Sequence, residues 1–264
     1  EFQTNSLLLP KGKHLNAGAI GLCAAMGLEK ILVFLPPRIG IISTGDELKE
    51  PGQKLLPGQI WSSNSAALIA AIEEANGIAI DCGIARDTLD SISTAFNKAL
   101  EANCDIILST GGVSVGDFDL VKDAMSHIGA NIDFWKLRLK PGKPLAFGTI
   151  GKTPLFGLPG NPVSCLIGFF QFVRPLILKF SGAKQIDLPK QSAILAHDIP
   201  KKHSRAELVR VEINWEKSIA FAKKTGNQSS AWISSMAYAT GLLFIPAQSQ
   251  GFKKGQKVLV EVLP

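Results

Sequence analysis

The spacing of hydrophobic positions changes twice along this chain and divides it into three parts. In the first, Leu7–Leu9 is a short apolar run, Asn16 can cap a helix reaching Met26, and Ile31–Leu35 predicts a strand ahead of the rigid Pro36-Pro37 joint. From Arg38 onward, apolar runs short enough for buried strands occur at Ile39–Ile42, Ile78–Ile80 and Ile106–Leu108. Helical patterns lie between them at Asn64–Glu74 and Leu89–Ala102. This alternation predicts an α/β domain with a mostly parallel sheet and helices on both faces. Further strands are expected at Asp133–Leu139, Leu145–Phe147 and Leu155–Phe156, then a helix at Asn161–Lys179 entered through Pro162. Beyond Ser181-Gly182 the pattern turns to short strands: Ser192–Ala196, Ala206–Ile213, Ser218–Ala222, Leu242–Pro246 and Lys257–Val262. These predict a small all-β unit. The expected division is an upstream remnant or linker at 1–35, an α/β domain at 36–182 and a β-barrel-like domain at 183–264.

Charge sharpens the second boundary. Of 28 Lys+Arg and 22 Asp+Glu, 12 basic and 6 acidic side chains fall after residue 182, so the whole net charge of +6 lies in the last part. Such asymmetry points to a separate unit and an anionic ligand near it. The composition, 46% hydrophobic and 19% charged, is that of a folded globular chain. Val163–Phe180, the longest apolar stretch, is interrupted by Gln171, Arg174 and Pro175, so no membrane span is expected. The chain opens at Glu1 without an initiator Met or signal peptide, and is expected to be a piece of a longer protein. Cys23, Cys82, Cys104 and Cys165 form no C-x-x-C pair, which suits small buried hydrophobes in a reducing cytosol. The basic residues form no aromatic-interleaved stripe, so nucleic-acid binding is not expected.

Four segments could carry chemistry. Ser43-Thr44-Gly45-Asp46-Glu47 follows the first strand of the α/β unit, where ligands of such sheets bind. Its carboxylates can hold Mg²⁺, or Asp46 can simply cap a turn. Ser109–Asp119 follows the third strand, and Gly111, Gly112 and Gly116 allow close backbone approach to an anion near a helix N-terminus. Asp117 and Asp119 would repel a bare phosphate, which a bridging Mg²⁺ would resolve; Asp119 could equally cap the helix. In Phe134–Pro144, strand geometry would put Lys136, Arg138 and Lys140 on one face, with Lys143 in the following turn. That face either gathers cations around an oxyanion or is solvated. Gly157–Ser164 is a stiff loop opening a helix, in which Ser164 could bind an anion and Asn161 could cap.

Taken together and in this order, the segments STGDEL (43–48), GQIWSSN (58–64), GIARD (83–87), STGGVSVGDFD (109–119), FWKLRLKPGKPLAFG (134–148) and GLPGNPVS (157–164) resemble the molybdopterin molybdenumtransferase family, relatives of the gephyrin E domain. LVRVEI (208–213) and GNQSSAWISSMAYATGLLFIP (226–246) extend the resemblance through the β tail. The resemblance implies a cytosolic, Mg²⁺-dependent transferase that inserts molybdenum from molybdate into adenylylated molybdopterin, releases AMP, and is a homodimer at full length. It further implies that Glu47, Asp87 and Asp119 are essential carboxylates near the metal, that Ser114 and neighbouring loop N–H groups hold phosphate, and that Gly111, Gly112 and Asp117 belong to the substrate-binding set. Lys136, Lys140, Lys143 and Ser164 would line the anionic site, and Arg210 and Ser230 would bind molybdate. Pterin adenylylation from ATP and a gephyrin-like scaffold are the competing functions. A scaffold needs neither the acids nor the lysines.

Overall fold

A computed structural model of the protein describes residue 3, residues 6–112 and residues 120–264, with Phe134 and Trp135 described by their backbone alone. Helix α1 (Ala17–Ala25) starts where the Asn16 side chain accepts the Ala19 N–H at 2.9 Å, as the sequence predicts. Ile31–Leu35, in contrast, is not a strand. β-propensity makes a strand only where a neighbouring edge accepts its hydrogen bonds. Here Leu32, Val33 and Leu35 are exposed, while the Phe34 ring lies against Gly182.

The α/β domain runs β1 (Arg38–Thr44), β2 (Leu48–Lys49), β3 (Ile60–Trp61), α2 (Ser63–Glu74), β4 (Ile78–Ala85), α3 (Leu89–Glu101), β5 (Ile106–Thr110), α4 (Leu120–His127), β6 (Asn131–Lys136), β7 (Leu139–Lys140), β8 (Pro144–Ile150) and β9 (Thr153–Leu158). Its main sheet has the order β4-β1-β5-β9-β8-β6, parallel through β9 and antiparallel in the last two pairings. Both faces are covered, which is why β1 and β5 read as unbroken apolar runs. Ile39, Ile41, Ile106 and Leu108 pack with Leu68 and Ile72 of α2, whereas Ile42 and Ile107 pack with Ile92 and Phe96 of α3 and Met125 of α4. The result is the three-layer arrangement expected.

The helix expected at Asn161–Lys179 forms in three pieces: α5 (Pro162–Gly168), a π-helical turn at Phe169–Val173, and α6 (Arg174–Phe180). Pro175 explains the interruption. It has no N–H for the i−4 carbonyl, and its ring needs room there, so the preceding turn widens and the Arg174 N–H reaches back to Phe169 O. By length and composition alone Pro162–Phe180 is long and apolar enough to cross a membrane, a test that the core helix of a globular domain also passes. In this fold Val163, Ile167, Phe169, Val173 and Ile177 of that helix are core residues under the sheet.

The last part contains β10 (Lys190–Leu195), β11 (Ile199–Pro200), β12 (Ala206–Glu216), β13 (Ile219–Lys224), the short helix α7 (Ser234–Ala237), β14 (Gly241–Ile245), β15 (Gly251–Phe252) and β16 (Lys257–Val262). Its strands run β13-β10-β16-β14-β12, and β12 pairs again with β13, which closes a five-stranded barrel. Closure removes the free edges that short strands would otherwise expose. The two domains share hydrophobic core: Leu208, Met236 and Leu242 cluster with Val163, Phe169 and Phe170. Gln171 Nε2 also donates to Glu261 Oε2 at 2.7 Å across the junction.

One predicted strand is broken. The Asp133–Leu139 pattern ends its ladder at Lys136, the Leu137 N–H turns to Lys143 O, and β7 joins β12 of the barrel in parallel. Alternating exposure is kept, with Lys136 and Arg138 exposed and Leu137 and Leu139 half-buried. The strand that carries it, however, passes from one sheet to the other.

Candidate functional site

Beyond the C-terminal ends of β1 and β5 lies a cavity of about 700 Å³. Its lining includes Ser43, Thr44, Glu47, Trp61, Ser62, Asn64, Asp87, Thr110, Gly111, Gly112, Asn161 and Ala231. This is the crevice in which open α/β sheets place their ligands. The acidic turn after β1, the turn after β4, the glycine turn after β5 and the loop before α5 all meet there.

The glycine turn is shaped by contact with β1. Gly111 has φ +92°, and a Cβ on it would stand 2.2 Å from the carbonyl oxygen of Thr44. Gly112, at φ +62°, would bring a Cβ to 2.7 Å from Thr44 Oγ1. Only glycine permits this backbone conformation and this approach together. Asn64 locks the turn to its neighbour: its Nδ2 donates to Thr110 Oγ1 and to Gly160 O, both at 2.8 Å. A buried row of hydroxyls lies beneath, with Ser43 Oγ 3.3 Å from Ser62 Oγ, which is 3.0 Å from Ser65 Oγ. Thr44 Oγ1 is buried, and among the described residues it has no hydrogen-bond partner.

Two carboxylates, Glu47 and Asp87, line the cavity, and Asp46 is tied to the second of them. The Asp46 N–H donates to Asp87 Oδ2 at 3.4 Å and the Asp87 N–H to Asp46 Oδ1 at 3.3 Å, with Glu47 beside them. Partial desolvation raises the Asp87 carboxyl above its ordinary 3.8; the Asp46 amide opposes this, and the charges of Asp46 and Glu47 add to it. The ionised form is therefore disfavoured in the folded chain relative to the unfolded one. That penalty is fully present above the raised folded value and vanishes as pH falls below 3.8. Asp87→Asn should accordingly raise the Tm of the metal-free chain at pH 7, with the gain shrinking as pH is lowered towards 3.8. Thermal melts across that range check it.

The sequence-predicted residues divide. Glu47, Asp87, Gly111 and Gly112 line the cavity together. Ser114, Asp117 and Asp119 lie outside the described residues. Lys136, Lys140, Lys143, Ser164, Arg210 and Ser230 are absent from the cavity's described lining. Lys136 and Lys143 are exposed, and Ser164 is buried in α5. Lys140 Nζ pairs with Glu207 Oε1 at 3.0 Å, and Glu207 Oε2 is also 3.1 Å from His203 Nε2, so Lys140 joins the domains as well as carrying charge. Ser230 reaches the site through its backbone, its carbonyl accepting the Val163 N–H at 3.1 Å next to the cavity-lining Ala231.

Arg210 departs furthest from expectation. It is 1% exposed. Its Nε donates to Ser235 Oγ at 3.1 Å, and its Nη2 faces Asn227 O and Ser229 O at 3.1 and 3.2 Å. Burial pulls its pKa down to about 10. Bonded in this way, the Arg210 side chain supports the loop that carries Ser230. Asn161 is likewise no side-chain cap of α5. All four cysteines are buried, as expected, and burial pushes the thiols of Cys104 and Cys165 up to about 11 and about 12. They are poor nucleophiles in that state.

Sequence reading left Asn64, Ser62 and Trp61 without roles. Only their shared motif GQIWSSN marked them, since polar residues at a helix start usually cap it. Among the described residues no three His, Cys, Asp or Glu side chains are gathered as a complete metal cage. The oxygen donors of Glu47 and Asp87, beside the orphaned hydroxyl of Thr44, do suit a hard cation that keeps other ligands from substrate and water.

Comparison with known proteins covers both domains. Residues 40–179 match the family model described as a probable molybdopterin binding domain, and residues 192–263 match the MoeA C-terminal region, domain IV. The chain is 35% identical to a molybdopterin molybdenumtransferase of a Nostoc species, aligning over 100% of this chain and 61% of that protein. The enzyme of the same name from Haemophilus influenzae is 32% identical, with 99% of this chain and 65% of that protein covered. The chain thus spans about three fifths of the length of such relatives. A crystal structure of the molybdopterin biosynthesis MoeA protein from Pyrococcus horikoshii superposes with a TM-score of 0.83 at 32% identity, covering 97% of this chain and 61% of that one.

Proposed function

The chain belongs to the MoeA-type molybdopterin-binding family, and from that premise we propose that it acts in molybdenum-cofactor biosynthesis, transferring molybdenum from molybdate to adenylylated molybdopterin with release of AMP. The observation that carries this reading is the meeting of Glu47 and Asp87 with the Gly111–Gly112 turn in one cavity. A backbone turn with positive φ aims N–H groups at an anion. Carboxylates beside a phosphate site call for a divalent cation between them.

Glu47 and Asp87 would hold Mg²⁺, with Asp119 from the segment after the glycine turn. Bound there, Mg²⁺ would neutralise charge on the pyrophosphate bridge and make AMP a better leaving group. The chain's own groups would do the rest. The Gly111–Gly112 turn and Ser114 would hold phosphate oxygens, and the Thr44 hydroxyl, unpaired among the described residues, would gain a partner. Asp117 would contribute to the same substrate site. Lys136 and Lys143, with Lys140, Ser164 and Ser230, would supply charge and donors to molybdate, a tetrahedral dianion. Arg210 would act by positioning, through the 227–230 loop. The proposal includes a cytoplasmic enzyme that is a homodimer at full length, without nucleic-acid or membrane partners.

The test is AMP release from adenylylated molybdopterin, measured with and without molybdate and Mg²⁺. Release should require both, and Glu47→Gln should slow it at least roughly tenfold, as disturbed metal shells do. Release independent of molybdate would overturn the reading.

A further inference from the structure

The cavity also has an apolar side to which the proposed chemistry assigns no task. Ile60 and Trp61 both line it, yet they remain 54% and 52% exposed. An exposed tryptophan is often a mobile surface group, but this one is held. The Ile60 N–H donates to Glu47 O at 2.9 Å and the Ser62 N–H to Lys49 O at 2.8 Å, which ties β3 to the strand following the acidic turn. The indole Nε1–H donates to Gln53 O at 3.0 Å.

The indole bond uses the only polar group the side chain has, leaving its π face to offer. Holding a large ring in place while half of it stays in water costs conformational entropy and forgoes much of the burial that would compensate. A ligand that covers the ring restores the balance. The neighbouring polar groups restrict what that ligand is. Ser63 and Asn64, next to Trp61 in the lining, carry oxygen atoms that accept hydrogen bonds, so they complement a ring bearing amino or ring N–H donors.

We infer that Trp61 is a stacking platform for a planar, amino-bearing heterocycle of the substrate, a purine or a pteridine. The inference rests on the proposed function for the presence of such a ring. Its test, however, reads binding rather than turnover. Stacking of a base on an aromatic side chain is worth about 1–3 kcal/mol, or roughly 5–150-fold in affinity.

Calorimetry with AMP and, separately, with 6-hydroxymethylpterin would compare the unaltered chain, Trp61→Ala and Trp61→Phe, each checked for folding by circular dichroism. Trp61→Ala should weaken binding of at least one ring about tenfold or more, while Trp61→Phe retains most of the affinity. Which ring responds identifies the group that stacks. Unchanged affinity of folded Trp61→Ala for both rings would overturn the inference. So would equal losses in the two variants, or failure of the unaltered chain to bind either ring. Failure of the proposed function looks different: ring binding would keep its dependence on Trp61, and AMP release would not respond to molybdate.

Discussion

Arg210→Ala should destabilise the protein by about 3–5 kcal/mol, from the buried acceptors left unpaired and the void left where the side chain was. The side chain is 1% exposed, and its guanidinium serves Ser235 Oγ, Asn227 O and Ser229 O. Alanine takes the donor from Ser235 Oγ and Asn227 O, leaves Ser229 O with only the Trp232 N–H at 3.4 Å, and opens a side-chain-sized void beneath them. The backbone bonds at the same position survive, since the Arg210 N–H still donates to Gln228 Oε1 and its carbonyl still accepts from Thr225 N. The variant therefore isolates the guanidinium. Arg210→Lys should recover only part of the loss, because an ammonium cannot reproduce the planar fork. Urea unfolding, read as a shift in midpoint at constant slope, measures it. A loss under about 1 kcal/mol would mean that desolvation nearly cancels the bonds, and Arg210 would then be free for another role.

Gly111→Ala is expected to be nearly as damaging, for a different reason. The added Cβ would overlap a backbone carbonyl, Thr44 O, at 2.2 Å, and no side-chain rotation can relieve that. A non-glycine residue at φ +92° adds strain of about 1–3 kcal/mol, and the overlap adds a comparable amount, so a total of about 2–4 kcal/mol is expected. Either the glycine turn lifts from β1 or β1 yields. Both outcomes move the proposed anion cradle away from Glu47 and Asp87, so activity should fall along with stability. Gly151→Ala is the control. Its φ is +57°, but a Cβ there meets nothing within 4 Å, so it reports the backbone penalty alone, about 1 kcal/mol. Equal effects at the two positions would remove steric contact with Thr44 as the reason for glycine at 111.

Much of the architecture could be read from residue order. β1 and β5 announce themselves as buried strands because their residues are apolar on both faces, and Asn16 announces the start of α1 because its side chain caps locally. Such signals depend on neighbours in sequence. Ile31–Leu35 misled because it has the composition of a strand without an edge to pair with. In Phe134–Pro144 the alternation of charge was legible, but the exchange between sheets at β7 was not, since the partner edge comes from β12, more than sixty residues later.

The same contrast governs the site. By itself, the sequence determined the α/β-then-barrel order, the two loops that end β1 and β5, and the acids and glycines they carry, because each is written in consecutive residues. Only the tertiary structure decided which of them meet. Glu47, Asp87 and Gly111 share one cavity, Lys140 is drawn to Glu207, and Arg210, read from the resemblance as a molybdate residue, is buried against the carbonyls of Asn227 and Ser229. Trp61 acquired its place only there as well, from a carbonyl eight residues away and a strand of two residues. The physical reason is that a charged or aromatic side chain has the same chemistry in any sequence, whereas its solvation and its partners are set by whatever the fold packs against it.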